Sequence, residues 1–248
     1  MHSLRKLLTA AALLSFLLNA SSAHYAFADQ AYDDYVRAQR AIQNAQWNPA
    51  VTFLSRSINA EPKYLNAYIA RGFAYSRLGK NEEALADYDR VLKIAPQNAV
   101  ALSNKGFCLY LSGNLDEALV CLDKAHLLDP ERGDILANRG EVYLALGDFQ
   151  KAVNDCTQAI KFDDTDADCY ITRGQALIKL NNKKQALKDF SKAISLNPDP
   201  VHMFHQEGES YYLRGQLYSA MGKNDLASRD IATSQSLHYR PSEKSSKK

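Results

Sequence analysis

The sequence has few of the residues that interrupt regular backbone structure. Its 248 residues include only seven prolines and eleven glycines, together with four cysteines and one tryptophan. Hydrophobic residues make up 46% of the chain and charged residues 23%, a balance that favours helix. The composition therefore indicates an all-α protein.

An excess of charge of one sign is also missing. The chain carries 30 Lys and Arg against 28 Asp and Glu, and Arg5 and Lys6 are the only charged residues in 1–28. The remainder is formally neutral, which argues against the basic surface that nucleic acid binding requires. We expect no nucleic acid partner. The basic, serine-rich segment 242–248 is predicted to be disordered.

Long apolar runs are absent beyond the first 28 residues. Arg5 and Lys6 precede an apolar run from Leu7 to Leu18, and small residues around Ala28 suit a peptidase, so we predict a cleaved signal peptide over 1–28. The run is shorter than the about 20 residues that cross a bilayer, so we expect no stable membrane insertion after cleavage. The predicted location is the periplasm or the medium.

A 34-residue period organises the rest of the chain. The copies are 31–64, 65–98, 99–132, 133–166 and 167–200, then an insertion at 201–207, then 208–241. Position 8 of every copy is Gly or Ala and position 20 is always Ala, which indicates that two helices cross closely there. Large side chains recur at position 24. Gly79, Gly113, Gly147 and Gly222 mark a turn inside the copy, and Pro62, Pro96, Pro130, Pro198 and Pro241 close copies.

These features resemble the tetratricopeptide repeat family, whose signature places an aromatic residue, Gly, Tyr, Ala, Phe and Pro at fixed offsets over 34 residues. The resemblance extends from Ala31 to about Pro241. It implies a right-handed superhelical solenoid of six helical hairpins. The main departure is Arg in place of Leu immediately before the Gly.

That departure has a partner elsewhere in the same copies. Four copies with Arg at position 7 carry Asp at position 23, whereas the copy with Lys105 has Cys121 there. We predict an ion pair that joins the two helices of each hairpin. A pair repeated four times favours a structural role over catalysis. The pairs are Arg71 with Asp87, Arg139 with Asp155, Arg173 with Asp189, and Arg214 with Asp230.

The two ends of the array should be capped by polar residues, because their outer faces meet no neighbouring repeat. Asp33 and Arg40 replace the apolar residues of middle copies at positions 3 and 10, and Ser228 and Gln235 do so at positions 21 and 28. These residues predict an N-terminal and a C-terminal cap.

The family resemblance also implies a binding surface. Tetratricopeptide stacks bind peptides or helices along the concave face formed by the first helix of each repeat, and we expect positions 2, 5, 6, 9, 12 and 13 of each copy to line it. For any single side chain on this face, ordinary helix packing with partial exposure is as good an explanation as partner binding. Basic residues are absent from positions 2, 5 and 9, so we do not expect capture of a terminal carboxylate. The predicted contact residues are Tyr35, Ile69, Phe73, Asn104, Phe107, Tyr110, Asn138, Glu141, Ile171 and Gln175.

Other chemistry finds little support. The sequence contains no Gly-rich phosphate loop, zinc-type Cys pattern or nucleophile elbow, so we expect neither enzyme activity nor a cofactor. His202 and His205 are spaced for a metal, although solvated side chains explain them better. A disulfide between Cys156 and Cys169 is one alternative, and buried thiols are the favoured one. We interpret Trp47 as a packing residue at the first hairpin's turn.

The preferred hypothesis is an exported, non-enzymatic adaptor that binds protein segments in its concave groove and serves envelope assembly or regulation. One alternative is a stack that self-associates through an exposed end or through Met203 and Phe204. A metal-assisted hydrolase is the least favoured alternative.

Overall fold

The computed structural model describes residues 29–196, 204–237 and 239, with the backbone alone given for 204–207. Helices and the connections between them account for this part of the chain, which contains no strand. The predicted all-α architecture of successive helical hairpins is confirmed. Several predicted features lie outside the described residues: the signal peptide, the insertion up to Met203, which includes His202, the basic tail, and the two prolines Pro198 and Pro241. The side chains of Phe204 and His205 lie outside them as well.

The first of two compact units ends at Ser112. Its helices are α1 over 29–43, α2 Trp47–Ala60, α3 Leu65–Arg77, α4 Asn81–Ile94 and α5 Ala99–Leu111. From α2 to α5 each helix packs against the next one along the chain, and α3 also contacts α5. The side chains between α1, α2 and α3 form a core around Ala38, Leu54 and Ala67, which are fully buried.

The second unit begins at Gly113. Its helices are α6 Leu115–Leu128, α7 Gly133–Leu146, α8 Phe149–Phe162, α9 Ala167–Lys179, α10 Lys183–Leu196, α11 Phe204–Ser219 and α12 Asn224–Ser236. Consecutive helices again pack pairwise, and α9 contacts both α7 and α11, so the first helices of successive repeats lie side by side.

Glycine at position 8 allows the two helices of a hairpin to approach closely. A Cβ placed on Gly174 would lie 2.7 Å from Cε1 of Phe190, the large residue at position 24 of the same repeat. Gly72 stands in the same relation to Tyr88, and Gly140 to Sγ of Cys156, also at 2.7 Å. The close crossing predicted at position 8 is confirmed in these three hairpins, and the contact with the residue at position 24 is a detail that the repeat pattern did not specify.

The turn inside the hairpin requires a left-handed backbone. Gly147 follows α7 with a φ of +85°, a conformation in which a Cβ is unfavourable. In the two hairpins that lack this glycine, the left-handed position is taken by Ala45, with φ +52°, and by Asn181, with φ +61°. Asn adopts this conformation more readily than Ala.

The four predicted ion pairs are confirmed, and each is bidentate. Arg71 donates from Nε and Nη2 to the two carboxylate oxygens of Asp87 at 2.8 and 2.7 Å. Its remaining nitrogen, Nη1, donates to Oγ of Ser55 on the preceding repeat. The other pairs have the same geometry, with the third contact going to Asp123, Thr157 and Ser191. Each arginine thus joins the helices of its own hairpin and also fastens that hairpin to the one before it, which the sequence pattern did not reveal.

The caps are also as predicted. Asp33 and Arg40 are exposed at the start of the first unit, and Ser228 and Gln235 are exposed on α12. Their counterparts in middle repeats, such as Ala67 and Ala74, are fully buried.

None of the four cysteines, all of which lie in the described residues, forms a disulfide, so the Cys156–Cys169 bridge that the sequence left open is not present. Cys108, Cys156 and Cys169 are buried, and Cys121 is half-buried. The Cys169 thiol donates to the Asp166 carboxylate at 3.2 Å. Burial raises the pKa of Cys108 to about 11, which keeps that thiol protonated and unreactive at neutral pH.

Candidate functional site

The inner faces of α1, α3 and α5 form a groove in the first unit. Its volume is about 450 Å³, within the range of ligand-binding clefts. Helical periodicity places residues three to four apart on the same face, so each first helix contributes a short row of side chains. The groove is lined by Tyr35, Gln39, Ile42, Asn66, Ile69, Ala70, Phe73, Asn98, Val100 and Asn104.

No side chain that lines this groove carries a formal charge. Four are carboxamides, five are apolar, and one is the phenol of Tyr35, whose ring lies 5.0 Å from that of Tyr64. The Asn98 oxygen accepts a hydrogen bond from the Ala101 backbone N–H at 2.9 Å and thereby caps α5. In the described part of the chain the carboxamides of Gln39, Asn66 and Asn104 have no hydrogen-bond partner.

An aromatic cluster of Phe73 and Trp47 forms one wall of the groove and its support. Phe73 is 38% exposed, and its ring meets Trp47 edge to face at a centroid distance of 5.9 Å. The Arg77 guanidinium lies 5.4 Å from the centre of the Trp47 ring. Trp47 packs, as we interpreted it from the sequence, but it packs against a groove residue and so limits the motion of Phe73.

The predicted contact residues do not all meet at this groove. Tyr35, Ile69, Phe73 and Asn104 line it. Phe107 and Tyr110, further along α5, are half-buried with ring centroids 5.9 Å apart and are not among the lining residues.

In the second unit, the corresponding positions are already engaged with other parts of the protein. Gln175 donates from Nε2 to Oε1 of Glu209 at 3.1 Å, which joins the inner faces of α9 and α11. Ile171 is only 6% exposed and packs in a cluster with Leu213. Asn138 and Glu141 are half-buried, and each interacts with other protein groups. These positions offer less free polar surface than the groove of the first unit.

Burial affects two titratable groups at the end of the second unit. It raises the pKa of Glu209, while the hydrogen bond from Gln175 opposes this and Asp168 adds to it. Tyr239, which follows α12, packs against Gly208 and lies 5.5 Å from the Tyr212 ring. Burial, together with Glu209, raises the pKa of Tyr239 to about 12.

Several groove residues were absent from the sequence-based set. Gln39 and Ile42 stand at positions 9 and 12 of the first copy, and Val100 at position 2 of the third, so the positional rule itself could have found them. Asn98 precedes α5 and lies outside those positions. The role of Trp47 depends on a contact between two repeats, for which the sequence carries no local signal.

Among the side chains that the structure describes, no three His, Cys, Asp or Glu residues lie close enough to hold a metal ion. Within the same residues, every helix is too short or too polar to span a membrane.

The tetratricopeptide repeat model matches residues 65–98, 99–132, 133–166 and 167–200, and a second model of this repeat matches 208–237. Together the matches cover more than half of the chain. The chain belongs to the tetratricopeptide repeat family. Repeats of this family mediate protein–protein interactions.

Solved structures share the fold at low sequence identity. PilW, described as a widely conserved type IV pilus biogenesis factor, is 19% identical with a TM-score of 0.70, covering 83% of this chain and 92% of that one. PilF of Pseudomonas aeruginosa is 20% identical with a TM-score of 0.67, over 85% and 93%. MamA is 22% identical with a TM-score of 0.55, over 67% and 94%.

One curated relative matches over a short stretch. A UDP-N-acetylglucosamine–peptide N-acetylglucosaminyltransferase of Giardia intestinalis is 34% identical over 55 residues. The match spans 22% of this chain and 4% of that protein.

Proposed function

We propose that this protein is a non-enzymatic scaffold that binds a segment of a partner protein in the groove of its first unit. The observation that carries the proposal is the groove itself, in which apolar side chains and carboxamides without partners in the described chain lie side by side. Such a surface can bury apolar groups and hydrogen-bond a peptide backbone at the same time.

The proposed contacts centre on Tyr35, Ile69, Phe73 and Asn104, extended by Gln39 and Asn66. Phe73 supplies an exposed aromatic surface with little freedom to lose on binding, because Trp47 restrains its ring. Restrained aromatic residues of this kind often dominate binding energy.

We further propose that the protein is exported and acts in the cell envelope, in assembly or regulation. The basic and then apolar composition of 1–28 supports export. The likeness to PilW and PilF is compatible with an envelope role. N-terminal sequencing of protein recovered from the periplasm or medium should begin at Asp29, and uncut protein confined to the cytoplasm would contradict export.

Site-specific photocrosslinking tests the binding proposal. A photoreactive residue at Asn66, which is exposed in the groove, should crosslink a discrete partner in the cell that makes this protein. The matched control places the same group at Ile94, a 50% exposed residue of α4 that does not line the groove. Loss of the Asn66 product on adding Phe73→Ala supports the proposal. Equal crosslinking from both positions, or none from Asn66, contradicts it.

A further inference from the structure

We infer that the ligand of the first-unit groove is an extended, uncharged peptide segment that places one apolar side chain against Phe73. The inference rests on the proposed function and specifies which class of segment the groove accepts. Three features of the groove support this inference: its lining carries no charge, three of its carboxamides have no hydrogen-bond partner in the described residues, and Trp47 restrains the Phe73 ring.

The absence of charge selects against charged ligands. A Lys, Arg, Asp or Glu side chain entering the groove would lose hydration and find no opposite charge among the ten lining residues. Arg77, the cation near the Phe73 wall, already has its guanidinium over the Trp47 ring and does not line the groove. Charged side chains of a bound segment must therefore point out to water.

The carboxamides select an extended backbone over a helical one. Gln39, Asn66 and Asn104 each offer a donor and an acceptor, the same pair of groups that a peptide unit needs. A helix already satisfies its own backbone groups, so it would leave these carboxamides without partners as they become desolvated. An extended segment has backbone N–H and C=O groups free to bind them.

The position of Phe73 selects an apolar anchor. Its exposed ring lies in the same groove as Ile42, Ile69 and Val100. With the ring braced by Trp47, an apolar side chain packed here buries surface on both molecules while little rotamer freedom is lost. The volume of about 450 Å³ accommodates only a few residues, so one anchor side chain is expected.

The second unit shows why the inference is confined to the first. There the equivalent polar groups are used internally, since Gln175 is bound to the Glu209 carboxylate. A carboxylate in that position also makes the inner face of α11 unsuitable for the uncharged ligand class inferred here.

A random dodecapeptide library displayed on phage and panned against the immobilised full chain supplies the probe. Enriched peptides are synthesised and titrated against the protein, with the emission of Trp47 as readout, because it is the chain's single tryptophan and contacts Phe73. We expect enriched peptides with a short uncharged stretch that contains an aliphatic or aromatic residue, and a change in Trp47 emission on binding.

Charge reversal at one groove position separates the ligand classes. For an uncharged ligand, Asn104→Asp and Asn104→Lys should each weaken binding about fivefold or more, because both remove a carboxamide and bury a charge. A basic ligand would instead gain affinity from Asn104→Asp, and an acidic ligand from Asn104→Lys. Phe73→Ala should weaken binding about tenfold or more, Phe73→Leu less, and the control Ile94→Ala about twofold at most.

Backbone recognition is tested separately by methylating single peptide nitrogens within the uncharged stretch. Loss of affinity at one or two nitrogens supports an extended, hydrogen-bonded segment, and affinity that survives every methylation overturns it. Enriched peptides that are charged and sensitive to Phe73→Ala overturn the ligand class but leave the proposed function standing. Failure to enrich any peptide, or binding indifferent to all the groove variants, overturns both.

Discussion

Replacing Gly174 by Ala should destabilise the protein even though Ala is the better helix former. The new Cβ would lie 2.7, 3.0 and 3.1 Å from three ring carbons of Phe190, whose side chain is fully buried and cannot turn aside. Overpacking of this kind costs about 1–3 kcal/mol, and the higher helix propensity of Ala returns about 1 kcal/mol. We expect a net loss of up to about 2 kcal/mol in the free energy of unfolding.

The first repeat shows which second substitution should relieve this strain. It has Ala38 where other repeats have Gly, and Leu54 where the fifth has Phe190, and both residues are fully buried. Phe190→Leu alone should cost about 1 kcal/mol because it leaves a partial cavity. In that background, Gly174→Ala should be neutral or stabilising by up to about 1 kcal/mol.

A double-mutant cycle over the four proteins measures this coupling. Urea unfolding followed by circular dichroism gives each free energy, and the coupling should be about 2 kcal/mol. If Gly174→Ala costs the same in both backgrounds, the Phe190 ring is not the obstacle. If it stabilises the protein with Phe190 in place, the close crossing at position 8 is not required.

Three further predictions follow from the buried polar groups and thiols. Arg71→Lys should cost about 1–2 kcal/mol in urea unfolding because Lys cannot bind both oxygens of Asp87, whereas Arg132→Lys at an exposed pair should cost less than about 0.5 kcal/mol. Equal costs would contradict the first of these. In the folded protein the pKa of Glu209 is raised above its ordinary value of 4.5. The folded state therefore loses stability relative to the unfolded state once this carboxylate ionises. Glu209→Gln should therefore be more stable than wild type at pH 7, and this advantage should shrink as the pH falls and vanish below the ordinary value; a pH-independent difference would refute the assignment. A thiol reagent should label Cys121 first and the other three cysteines only after unfolding, whereas rapid labelling of all four would contradict their burial.

The sequence predicted features that recur in most repeats, because repetition averages out local exceptions. The Arg71–Asp87 pair was visible as residue types that vary together at two fixed positions, and the close crossing at Gly174 was visible as a small residue at position 8, whereas its contact with Phe190 was not predicted. Their geometry follows from the hairpin alone. The contact from Arg71 to Ser55 was not visible, since Ser, Asp and Thr all serve as the acceptor in different repeats.

The binding groove was predicted less completely, for a physical reason. The predicted inner face of the first helices does form a groove, and Phe73 and Asn104 line it, while their role in binding stays a prediction. Which inner-face residues remain accessible depends on contacts between neighbouring repeats that differ along the chain. Ile171 occupies a predicted position but is covered by its neighbours, and Gln175 is bound to Glu209.

The uncharged lining of the groove has a kinetic consequence. Long-range attraction between opposite charges accelerates protein association and is weakened by salt. A groove without charged side chains gives no such acceleration, so encounter should proceed at the ordinary diffusive rate of about 10⁵–10⁶ M⁻¹s⁻¹. Association of the proposed partner segment with this groove should therefore depend only weakly on ionic strength.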